Sequence, residues 1–169
     1  SKWKSDLLES ISKAQKNGLA GFIAESILGC AGQVPLPDGY LKMAYGLVRK
    51  AGGICIADEV QIGFGRTGKF WGWENHHVIP DMVILGKPMG NGHPIGAVVT
   101  TDKIAQSFDN GMEFFSSFGG NPVSCAIGKA VLETIEKEEL IENAIKVGIY
   151  FKSVLLKMQK EFPIIYDVR

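Results

Sequence analysis

Lys87 follows the apolar run Met82-Val83-Ile84-Leu85-Gly86 and opens a loop, Pro88-Met89-Gly90-Asn91-Gly92-His93-Pro94. Asp58 ends a second apolar run, Ile54-Cys55-Ile56-Ala57, and is followed by Glu59-Val60-Gln61. An amine and a carboxylate, each at the C-terminal end of a strand, meet the two demands of pyridoxal phosphate chemistry. The amine carries the aldehyde as a Schiff base, and the carboxylate keeps the pyridine nitrogen protonated so that the ring accepts electrons. Glu25 follows a third run, so three ionisable side chains stand at strand ends, where open α/β sheets bind ligands. Taken singly, each is more often a helix cap, a loop solvator or a surface charge. Taken together, beside glycine-rich loops, they favour a functional reading.

The elements that must position these groups follow from periodicity and punctuation. Trp3, Leu7, Leu8, Ile11 and Ala14 recur at helical spacing over residues 2–16, and Asn17-Gly18 ends that helix. A buried strand is expected over 19–24, then a loop over 25–37. Asp38 is placed to cap a helix through Tyr40, Leu41, Ala44, Leu47 and Val48, stopped by Gly52-Gly53. Strands are expected over 54–57, 82–85, 95–100 and 113–116, with a long glycine- and aromatic-rich loop over 61–81. Asp102 is placed to cap a short helix to Phe108, Asn121-Pro122 opens a helix to about 137, and a last amphipathic helix covers 140–162. Helices alternating with wholly apolar strands give an α/β class: a mostly parallel sheet flanked by helices.

The chain has 169 residues, 46% of them hydrophobic, enough for one core. Eighteen basic and 18 acidic side chains cancel, so charge gives no reason to expect a nucleic acid or an anionic membrane as partner. No apolar stretch approaches the roughly 20 residues of a membrane span, and the N-terminus does not lead into a secretory signal. Three cysteines, Cys30, Cys55 and Cys125, without CxxC spacing imply a reduced setting; a cytoplasmic location is the expectation. No strand leads into G-x-G-x-x-G or a Walker loop, which disfavours a nucleotide-binding domain. His76, His77 and His93 lack ligand spacing and read as surface loop histidines. Cys55 reads as a small core residue. Phe70, Trp71 and Trp73 read as cover for the sheet or a subunit interface. Arg66, alone in a glycine loop, reads as structural or as an anchor for that loop near the cofactor.

The motif from Asp58-Glu59-Val60-Gln61 to Gly63-Phe64-Gly65-Arg66-Thr67-Gly68, then Pro80-Asp81, Gly86-Lys87 and Gly90-Asn91-Gly92-His93-Pro94, resembles the class III pyridoxal-phosphate-dependent aminotransferases. Lys87 lies 29 residues after Asp58, and a third match, Ser117-Phe118-Gly119-Gly120-Asn121-Pro122, begins 30 residues after Lys87. The resemblance implies a fold-type I enzyme in which Asp58 bonds the pyridine nitrogen, Val60 packs on the ring, and Gln61 reaches its phenolic oxygen. It implies that Lys87 holds the cofactor and moves the proton, that Ser117 bonds the phosphate, usually across a homodimer interface, and that Glu25 faces the substrate side. Serine at 117 departs from the commoner threonine but keeps the hydroxyl. Ser26 stands where proline is usual, and Cys30 where some ω-amino acid aminotransferases have a second glutamate.

These departures resemble the alanine–glyoxylate aminotransferase 2-like branch, which includes phospho-lyases acting on phosphoethanolamine or phosphohydroxylysine. The expected activity is transfer of an amino group from an amine or ω-amino acid to a 2-oxo acid. Phosphate elimination on the same scaffold is the alternative, and a non-catalytic domain retaining the fold is a second. Residues 1–137 are expected to be part of the cofactor-binding large domain, and 138–169 a helix and linker leading toward a smaller C-terminal domain. On this reading the chain is a fragment, inactive alone.

Overall fold

A strand that is apolar along its whole length must be covered on both faces, and the sequence supplies helices between strands to do so. The computed structural model describes residues 2–169. Helix α1 (Lys2–Gln15) leads through the Asn17-Gly18 turn to strand β1 (Gly21–Glu25). A two-stranded antiparallel hairpin, β2 (Ile27–Leu28) and β3 (Val34–Pro35), precedes helix α2 (Tyr40–Lys50) and strand β4 (Ile54–Asp58). The next segment holds a 3-10 turn (Gly72–His76) and leads to strand β5 (Met82–Leu85), a second 3-10 turn (Lys87–Gly90) and strand β6 (Ala97–Thr100). Helices α3 (Asp102–Phe108), α4 (Pro122–Lys137) and α5 (Leu140–Glu161) complete the chain.

The main sheet has the order β1-β4-β5-β6. The first two pairings are parallel and the last is antiparallel, so the sheet is mostly parallel as expected. Its register aligns Glu25 with Asp58 and Asp58 with Ile84, and Lys87 follows three residues later. Because side chains alternate along a strand, Phe22, Ala24 and Cys55 face α2, while Glu25 and Asp58 belong to the opposite face. Leu41, Tyr45, Val48, Cys55 and Val78 form the buried cluster between sheet and α2.

The other end of the sheet is fixed by Asp81. Its carboxylate accepts from the Cys55 backbone N–H at 2.7 Å and from the Arg49 guanidinium at 3.0 and 3.3 Å. Thr100 Oγ1 donates to its carbonyl, so one residue ties α2, β4, β5 and β6. The Pro80-Asp81 motif therefore sets the strand whose far end carries Lys87.

Four local expectations are corrected. Asp38 does not cap α2: Gly39, with φ 76°, holds the N-cap position, and no side chain bonds there. Asp102 does not cap α3 but is its first residue, where its charge suits the positive end of the helix. Residues 113–116 form no strand; Phe114 and Phe115 suit a sheet, but no neighbouring strand edge pairs with them. The loops over 25–37 and 61–81 contain the β2–β3 hairpin and a 3-10 turn.

Candidate active site

The C-terminal ends of β1, β4 and β5 bring Glu25, Asp58 and Lys87 to one edge of the sheet. Lys87 is exposed, and its Nζ donates to Gln61 Oε1 at 2.6 Å. Gln61 is half-buried; Cys30 Sγ lies 3.9 Å from the same oxygen. Asp58 Oδ1 accepts from the Val60 N–H at 3.0 Å, an Asx-type turn that bends the chain directly after the strand. The other Asp58 oxygen bonds to no group among the described residues. Glu25 Oε2 accepts from the Gly29 N–H at 3.0 Å and braces the turn of the hairpin that carries Cys30. Val60 packs against Gly86: a Cβ on residue 86 would lie 3.1 Å from Val60 Cγ1, so glycine there lets the valine close on the root of the Lys87 turn.

Five of the six expected residues, Glu25, Asp58, Val60, Gln61 and Lys87, thus lie in or directly after the three strand ends. Ser117 lies elsewhere, exposed in the irregular segment between α3 and α4, with no hydrogen bond to any of the five. Arg66 donates through Nε to the Gln61 carbonyl at 2.9 Å, so it anchors the loop to the residue that receives Lys87.

Sequence reasoning missed Glu59. Its carboxylate is fully buried and accepts from Ser26 Oγ at 2.7 Å, the Gly72 N–H at 2.8 Å and the Trp73 N–H at 3.1 Å. It joins the ends of β1 and β4 to the 3-10 turn. Its position between Asp58 and Val60 gives no sign of this burial, which comes from the 3-10 turn thirteen residues on.

Two histidines are also corrected. His76 is half-buried with Nε2 2.9 Å from the Ser26 carbonyl, and His93 is half-buried with Nε2 2.8 Å from Ser124 Oγ. His77 is exposed. Cys55 is a core residue: burial pushes its thiol up to about 11, away from the nucleophilic range. Among the described residues no helix is long and apolar enough to cross a membrane.

Residues 2–169 match the family model for class-III aminotransferases. An alanine–glyoxylate aminotransferase 2-like protein of Drosophila melanogaster is 52% identical over 158 residues, covering 92% of this chain and 32% of that protein. The mitochondrial alanine–glyoxylate aminotransferase 2 of Homo sapiens is 50% identical over 162 residues, covering 95% of this chain and 32% of its own length. The chain therefore spans about a third of the curated relatives it matches. A phospholyase from Arthrobacter in complex with phosphoethanolamine superposes with a TM-score of 0.86 at 43% identity, over 91% of this chain and 37% of that one. An acetylornithine aminotransferase from Elizabethkingia anophelis gives a TM-score of 0.83 at 39% identity, over 92% and 39%. With the whole described chain inside the family model, and the strand-end lysine and aspartate in a mostly parallel α/β sheet, this protein belongs to the class III aminotransferases, fold-type I enzymes that use pyridoxal phosphate.

Proposed function

We propose that this chain supplies the lysine and aspartate of a pyridoxal phosphate site, and that the protein containing it transfers an amino group from an amine or ω-amino acid to a 2-oxo acid. The observation that carries the reading is the Lys87 amine held by Gln61 at the sheet edge that also presents Asp58. The residues fit the cofactor. Lys87 offers an exposed primary amine, Asp58 has a carboxylate oxygen to spare, and Val60 closes on Gly86 to give an apolar wall beside them. When bound, pyridoxal phosphate supplies an aldehyde for the amine and a ring that accepts the electrons left on a substrate carbon.

The protein's own residues do the rest. Asp58 holds the proton on the ring nitrogen through a charge-assisted hydrogen bond. Val60 limits the tilt of the ring, and Gln61 holds the Lys87 amine when it is not engaged. Lys87 Nζ would hold the cofactor at rest and, when free, would carry the proton taken from the substrate Cα. Ser117, exposed and without a hydrogen bond to the strand-end group, is the hydroxyl for the phosphate, and the family resemblance implies that it serves the site of a second copy in a homodimer. Glu25 stands on the substrate side. The relatives' names make alanine and glyoxylate the first pair to assay. A cytoplasmic location and inactivity of the 169 residues alone belong to the same proposal; cell fractionation and an assay of the isolated chain test them.

The deciding experiment uses the full-length gene product. An absorbance band from the lysine-bound cofactor, bleached by borohydride and lost in Lys87→Ala, is the expected result, with amino transfer falling by at least about 10²-fold because the proton-transferring group is gone. A band that survives the substitution overturns the reading. A phosphate elimination is the second reading, supported by the structural likeness to a phospholyase. Both reactions begin with loss of the Cα proton, so the same residues serve either. Release of inorganic phosphate from phosphoethanolamine, without amino transfer to a 2-oxo acid, decides for it.

A further inference from the structure

The turn that carries Lys87 is seated on helix α4, and one side chain makes the polar part of that seat. His93 Nε2 lies 2.8 Å from Ser124 Oγ, and Ser124 is buried in the first turn of α4. Asn121, the N-cap of α4, brackets the same serine. Its Oδ1 accepts from the Ser124 N–H at 3.0 Å, and its Nδ2 donates to Ser124 Oγ at 2.9 Å. Since Oγ already accepts from Asn121, the arrangement that uses every donor has the serine hydroxyl donating to His93. Asn121 Nδ2 also donates to the Phe118 carbonyl at 2.8 Å, next to Ser117.

The apolar part is equally close. A Cβ on Gly90 would lie 2.7 Å from Ile95 Cγ2, and a Cβ on Gly128 of α4 would lie 3.5 Å from Ile95 Cδ1. The His93 N–H donates to the Gly90 carbonyl at 3.0 Å, which closes the turn on itself. The run from Lys87 to Ile95 is therefore a closed loop that rests on α4 through Ile95 and is tied by one side-chain hydrogen bond to the helix whose N-cap holds the Ser117 segment.

We infer that His93 is a positioning residue: through Ser124 and Asn121 it fixes the Lys87 turn relative to the loop bearing Ser117. This rests on the reading of Lys87 as the cofactor lysine. A reacting amine must be held to a fraction of an ångström, and the turn has no other side-chain hydrogen bond to α4 among the described residues. Phenylalanine at 93 keeps the ring and removes the nitrogen. Glutamine places an amide close to the position of Nε2.

The test compares His93→Phe, His93→Gln, Ser124→Ala and the His93→Phe/Ser124→Ala pair in the full-length gene product. In cofactor-stripped protein, His93→Phe is expected to speed amide hydrogen exchange over residues 87–93 about tenfold, with β1 and β4 unchanged. In the loaded enzyme kcat is expected to fall about tenfold with KM within about twofold, and His93→Gln to restore most of both. Ser124→Ala should reproduce the loss, and the pair should be no worse than either single change. If His93→Phe does not fold, Ser124→Ala, which removes one oxygen, carries the test. Exchange unchanged over 87–93, or losses that add in the pair, overturn the inference. A Lys87→Ala protein that keeps its cofactor band instead overturns the cofactor reading and leaves the exchange result to stand or fall by itself.

Discussion

At Glu59 a carboxylate with no exposed surface accepts three hydrogen bonds, from Ser26, Gly72 and Trp73. Glu59→Gln keeps the shape but turns an amide N–H₂ toward donors, so at least one buried group loses its partner. We expect a loss of about 2–3 kcal/mol in urea denaturation, the scale of a hydrogen bond to a buried charge. Glu9→Gln, which breaks only an exposed pair with Lys13, should leave the midpoint unchanged. The contrast shows which residues were legible. The strand-end placement of Asp58 and Lys87 could be read because each closes an apolar run, and strand ends are where side chains leave the core. Glu59 could not, because its burial depends on a 3-10 turn thirteen residues away that gives no periodic signal. His93 escaped for the same reason: Ser124, its partner, is 31 residues distant.

Elements were read well wherever the signal was local. Helix α4 begins as expected because Asn121-Pro122 is a complete start signal, and its Asn121 side chain accepts the Ser124 N–H. Pairing was not readable for residues 113–116, since a strand exists only with a neighbour. Nor was the docking of α5. Gly65 and Gly68 have φ of 88° and 81°, and a Cβ on either would lie 2.7 Å from Ile141 or Ile145, one turn apart on α5. Glycine serves twice here, for the backbone and for the seat. Gly68→Ala should therefore cost about 1–3 kcal/mol and raise hydrogen exchange in the first turns of α5. The cost should shrink in combination with Ile145→Ala; equal costs in both backgrounds would refute the packing explanation.

Strand β4 makes a second element-level prediction. Burial raises the Cys55 thiol from 9.0 to about 11, so the unfolded chain releases its proton first as the pH climbs. The stability this gives is complete below about pH 9 and is lost as the pH rises toward 11. Tyr45, packed against it and pushed up by its own burial, acts in the same direction at higher pH. Urea midpoints measured from pH 8 to 11 should fall, and Cys55→Ala should flatten the lower part of that fall.

For the whole molecule the surface itself is the argument. A compact monomer of this mass exposes about 8,200 Å² by the usual scaling with size. This chain, of 18.4 kDa, exposes 11865 Å². The excess is not spread evenly: Met112, Phe114, Phe115 and Phe118 lie exposed in the segment before α4, and Ile149, Tyr150 and Phe151 on α5. Exposed apolar area on this scale draws a partner surface or leads to self-association. Produced alone, the 169 residues should bind a hydrophobic dye and sediment as concentration-dependent oligomers. Within the full-length gene product the same segments should be protected, with slow exchange over 112–118 and along α5. The aromatic cluster before α4 includes the neighbours of Ser117, so covering it also fixes the hydroxyl proposed for the phosphate. Phe114→Ser with Phe115→Ser should then weaken cofactor retention on dialysis while leaving the Glu59 and Asp81 networks, and hence the fold of the sheet, intact. Retention equal to the parent protein would show that this surface and the phosphate hydroxyl are independent.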